Sequence, residues 1–89
     1  MLRVHMSANY LAWKLDSTIL MDRDDGCQFR IEILRTNIPG EGSAPLPEWR
    51  GEIYLLTDNL WLRVHATKPQ CSLQKAQALA IDWATLFKG

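Results

Sequence analysis

Three arginines and three ring-bearing side chains recur at alternating positions along this 89-residue chain: Arg30, Arg50 and Arg63 with Tyr54, Trp61 and His65. Guanidinium groups interleaved with flat rings can stack the bases and neutralise the phosphates of single-stranded nucleic acid. The same residue types anchor protein contacts, because each brings a large rigid surface with a polar tip. Glu32 and Glu52 stand among the arginines. Carboxylates there repel phosphate and pair with arginine across neighbouring strands, and such pairs alone keep an exposed sheet face soluble. Tyr54 and Trp61 favour a protein contact over bare solvent. Ile81 is a further candidate: it projects beside Ala78 from the otherwise polar side of a C-terminal helix and leaves that flank open to a partner.

Other chemistries find little support. His5 and His65 have no Ser or Cys at a motif spacing, and no G-x-S-x-G, H-E-x-x-H, phosphate-loop or dinucleotide fingerprint occurs. No catalytic residue is assigned and the chain reads as non-enzymatic. Asp22, Asp24 and Asp25 crowd together before Gly26, but the pattern and terminal Glu of a calcium loop are missing, so this segment reads as a solvated turn. Cys27 and Cys71 lack C-x-x-C spacing. Together with His65 they would form a zinc site only if the fold happened to gather them, and a disulfide between them would need an oxidising compartment. No metal or cofactor is implied.

The elements that must position these residues follow from periodicity. Ser72 to Lys88 is one amphipathic helix, with Leu73, Ala76, Leu79, Ala80, Trp83, Ala84, Leu86 and Phe87 on a stripe roughly 160° wide. Lys68-Pro69 keeps the chain extended before it, Ser72 is the N-cap, and Lys88 suits the negative end of the dipole. So wide a stripe with small residues in it suits a helix lying close on a sheet. Cys27 to Leu34 is the cleanest strand, with Cys27, Phe29, Ile31 and Ile33 on one side and Gln28, Arg30 and Glu32 on the other. Thr18 to Met21 precedes it across the Asp22 to Gly26 turn and forms a hairpin with it.

Asn9 to Leu15 alternates like a strand, continuing into Thr18 past a bulge at Asp16-Ser17, although Ser7 can also cap a short helix there; the rings favour strand. Leu2, Val4 and Met6 read as a short edge strand or a loose end. Residues 36–47, rich in Pro and Gly, form a long loop that is either functional or a disordered connector. Trp49 to Thr57 and Leu60 to Ala66 make a second hairpin about the Asp58-Asn59 turn. Leu60, Leu62, Val64 and Ala66 are expected inward, with Trp61, Arg63 and His65 outward.

The result is a single α+β domain over residues 1–89: an antiparallel meander of about four strands with one C-terminal helix packed on one face. Ten basic and ten acidic residues give zero formal net charge, so no global field steers the chain to nucleic acid or an acidic membrane. No apolar run is long enough to span a bilayer, and the N-terminus has no uninterrupted apolar core of a signal peptide, so the expectation is cytoplasmic.

Sheet, Pro-containing turn and Ser-capped helix bearing Ala76, Ala80 and Trp83 resemble the strand-to-helix unit of HicB-type antitoxins and of double-stranded-RNA-binding-like folds, over the last third of the chain. The resemblance implies that order of elements and nothing further. A basic helix N-terminus of the RNA-binding kind is absent, with only Lys68 and Lys75 flanking it, and no function or site is carried over. The expected role is a small protein-interaction module, homodimeric through the sheet face or the helix flank or bound to another protein. The alternative is a nucleic-acid-binding regulatory module using the same Arg and aromatic face.

Overall fold

The computed structural model describes residues 13–36 and 46–88. Among the described residues, four strands, β1 (Trp13–Asp22), β2 (Gln28–Thr36), β3 (Trp49–Thr57) and β4 (Leu60–Ala66), are followed by one helix, α1 (Leu73–Leu86). The strands form one antiparallel sheet in the order β1-β2-β3-β4, which is the expected meander. The expectations for residues 1–12, and for 37–45 of the long loop, lie outside the described residues.

Turn chemistry sets the two hairpins. Gly26 takes φ 92° between β1 and β2, and the Arg23 and Gly26 amides close that turn at 2.9 and 3.0 Å. Asp58 and Asn59 both adopt left-handed conformations, φ 52° and 66°, as a two-residue hairpin turn requires. The anticipated β1 bulge lies between Leu15 and Ser17. At the neck of the long loop the Thr36 amide donates to the Glu48 carbonyl at 2.9 Å, and the Glu48 amide donates to the Thr36 hydroxyl at 2.8 Å.

Beyond β4 the chain stays paired to β3. The Thr67 amide donates to the Gly51 carbonyl at 2.9 Å, and the Gly51 amide donates to the buried Thr67 hydroxyl at 2.9 Å. Trp49 and Gln70 then exchange amide bonds of 2.9 and 2.7 Å. This extension delivers Ser72 to the head of α1, where its hydroxyl accepts from the Lys75 amide at 3.1 Å.

The core lies between α1 and the central strands: Phe29, Ile31 and Ile33 of β2, Ile53 of β3, and Ala76, Ala80 and Ala84 of α1. Alanines four residues apart form one row along the helix and let it descend onto β3. The approach is close enough that a Cβ built at Gly51 would lie 2.9 Å from the Ala80 Cβ. Phe87 then meets Phe29 edge-on, with ring centroids 5.8 Å apart.

The buried stripe of α1 is narrower than its composition implies. Leu79 and Leu86 are exposed, and so are Leu60 and Leu62 of β4, which were expected in the core. The reason is placement: α1 packs over β3 and β2 and leaves the turn end of β4 uncovered.

The Asp-rich turn also differs from a merely solvated one. The last turn of α1 carries no basic residue. Instead, Arg23 Nη1 donates to the carbonyls of Ala84 at 2.8 Å and Phe87 at 2.6 Å. The Asp25 carboxylate holds this guanidinium from its other side and also accepts from the Cys27 amide at 3.1 Å. Arg23 thus supplies the cation that the orphan carbonyls and the dipole favour, the role expected of Lys88.

Candidate binding face

Backbone register sorts the candidate residues onto two faces. On the side away from α1, Leu20, Arg30, Tyr54 and Arg63 form one row across all four strands. Thr18, Glu32, Glu52 and Ala66 form the next row, and Leu15, Leu34 and Arg50 the one beyond. Trp61 pairs with Leu56 at the turn end, on the same side.

His65 does not belong to this face. The β3–β4 register shifts between Ile53 and Tyr54, so that Ile53 faces His65 while Tyr54 faces Arg63. Val64 is the extra residue of a bulge, and it turns His65 over to the helix side. There the imidazole stacks on the Trp83 indole, with centroids 4.5 Å apart and planes 3° from parallel. Ile81, 37% exposed, also stands on the helix side of the sheet. The structure therefore brings together Arg30, Arg50, Tyr54, Trp61 and Arg63, and separates His65 and Ile81 from them.

Glu52 organises the face. Nearly buried, it accepts from Arg50 at 2.8 Å, from the Tyr54 hydroxyl at 3.0 Å and from Arg63 at 3.4 Å. Burial, and then the hydrogen bond to Glu52, raise the Tyr54 phenol above its ordinary pKa. Arg30 sits between two rings, its guanidinium carbon 4.7 Å from the Tyr54 centroid and 5.2 Å from that of Trp61, with Nε 3.4 Å from Glu32. Arg50 lies over Trp13 at 4.7 Å. Each arginine thus meets a carboxylate, and two of them also meet a ring.

Reasoning from the sequence left several members of this face unassigned. Trp13, Leu15 and Leu34 carry no motif, and only the alternation of β1 and β2 placed them. Leu15 and Leu20 are exposed. Next to Trp61, a depression of about 270 Å³ is lined by Leu20, Asp22, Gln28 and Phe29.

Among the described residues, no group of three or more His, Cys, Asp or Glu side chains converges on a point where a metal ion could be held, and both cysteines are free. No helix there is long and apolar enough to cross a membrane. Comparison with family models, curated proteins and solved structures finds no match to this chain, so the likeness to the HicB-type strand-to-helix unit rests on the order of elements alone.

Proposed function

We propose that the protein is a small, non-enzymatic interaction module that recognises a protein surface through the sheet face opposite α1. The observation that carries this reading is the network about Glu52, which holds Arg50, Tyr54 and Arg63 in place beside an Arg30 clamped between Tyr54 and Trp61. Arginines already met by carboxylates have little charge left for phosphate. Arg30 and Arg50, packed against rings and flanked by exposed Leu15 and Leu20, have the make-up of a contact surface whose ordering cost is largely met.

A photoreactive residue in place of Leu20, in cells expressing the protein, tests this. Cross-links to protein are expected from position 20, absent from position 74 on the outer side of α1, and lost when Trp61→Ala is added. Binding of a single-stranded oligonucleotide that falls steeply with salt, or position-20 cross-links indifferent to Trp61→Ala, would overturn it.

A further inference from the structure

Both sheet edges are poorly suited to pairing with another strand. β1 is bulged after Leu15 and carries Lys14, and β4 is bulged at Val64 with Pro69 shortly beyond. Bulges and edge charges of this kind discourage strand addition, so association is directed to the face rather than the rim.

Charge on that face is unevenly satisfied. Asp22 makes no ion pair among the described residues. Among the described residues, Arg63 is the loosest of the three arginines on that face: its side chain is 56% exposed, and its carboxylate contact, 3.4 Å to Glu52, shares an oxygen that Arg50 holds at 2.8 Å. Asp22 lies on β1 and Arg63 on β4, the opposite rims of the sheet, towards the same, hairpin-turn end.

A two-fold axis lying between two such faces and running along the strands lays β1 of each copy over β4 of the other. Resting on the reading that this face binds protein, we infer that the occupant is a second copy of this chain, with Arg63 of each copy entering the notch formed by Leu20, Asp22, Gln28 and Trp61 of the other. The notch supplies a carboxylate for the guanidinium, an indole wall for its planar face, and a leucine that is 72% exposed for its methylene stem. Two-fold symmetry makes the contact twice. At about 4.8 Å between strands and about 3.3 Å per residue, the face measures roughly 19 by 25 Å. Two copies then bury on the order of 1,000 Å², the lower limit for a specific interface, so the dimer dissociates on dilution.

Sedimentation equilibrium over a concentration series reads this directly. Asp22→Arg alone and Arg63→Glu alone should each weaken association by about ten-fold or more, and the doubly reversed D22R/R63E chain should recover to within about three-fold of the wild type. Ile81→Glu on the helix flank should change nothing. Circular dichroism verifies that each variant is folded, and Arg63→Gln replaces Arg63→Glu if the latter is not. A chain monomeric at every concentration, single reversals without effect, or a double variant that fails to recover would each overturn the inference. A monomer that still gives Trp61-dependent cross-links from position 20 would sink the second copy alone and leave the protein-binding face standing.

Discussion

At Gly51 the chain has no room for a side chain. A Cβ there would sit 2.9 Å from the Ala80 Cβ, closer than two methyl carbons pack, so Gly51→Ala should push α1 off β3 and destabilise the protein by about 1–3 kcal/mol. Ala80→Gly alone should cost about 1 kcal/mol in helix propensity. In the double variant the two losses should be less than additive, because Ala80→Gly vacates the space that the Gly51→Ala methyl occupies, and urea denaturation of the four-member cycle measures this coupling. Glu52 makes a second residue-scale case. Glu52→Gln leaves Arg50 and Arg63 without their shared carboxylate and should cost about 1–3 kcal/mol. Tyr54, whose folded pKa is raised, contributes stability that is complete below its unfolded value of about 10 and is lost as pH rises through the folded one. In Glu52→Gln the near-UV absorbance titration of Tyr54 should move down towards the ordinary range, and the alkaline loss of stability should shrink with it.

At the scale of elements, a hairpin turn holds the far end of a helix. Arg23 reaches the carbonyls of Ala84 and Phe87 while Asp25 fixes its guanidinium. Arg23→Ala should leave those carbonyls to solvent and speed amide exchange in the last turn of α1, with the N-terminal half unaffected. The hydrogen bond from Arg23, and then that from the Cys27 amide, hold the Asp25 carboxyl well below the usual carboxylate range. The stability this contributes is complete above the unfolded value of about 4 and is lost as pH falls towards the folded one. The gap in stability between wild type and Asp25→Asn should therefore be flat above about pH 5 and close below about pH 4, as acid denaturation would show. Both hairpins, the β1 bulge and α1 to within two residues at either end were legible, because each has a local cause: a Gly or Asx turn, alternation, a Ser cap. The bulge at Val64 was not. Leu60, Leu62, Val64 and Ala66 keep an unbroken period of two across it, so nothing local announces that His65 turns inward; the indole it stacks on there, Trp83, is distant in sequence. Arg23 was hidden for the same reason, since its partners are carbonyls on an element some sixty residues away.

For the molecule as a whole, sheet and helix each lack what the other supplies. A helix of 14 residues is marginal alone in water, and without it Phe29, Ile31, Ile33 and Ile53 would form a bare apolar face on an open sheet. The alanine row against Gly51, the Phe87 ring against Phe29 and the Arg23 cap tie α1 to β3, β2 and the first turn, so neither layer has an independent core. Unfolding should accordingly be a single transition: far-UV circular dichroism, which sees α1, and tryptophan fluorescence, which sees Trp83 against the sheet and Trp61 on the other face, should give the same urea midpoint. Ile31→Ala, at a fully buried site, should lower both midpoints together through a loss of about 2–5 kcal/mol, a large part of the roughly 5–10 kcal/mol that a domain of this size holds. Leu86→Ala, at a side chain 75% exposed, should move neither. Helicity lost at a lower urea concentration than the Trp61 signal would mean that the sheet stands without its cover, and the side lined by Phe29, Ile31, Ile33 and Ile53 would then be open to a partner as well.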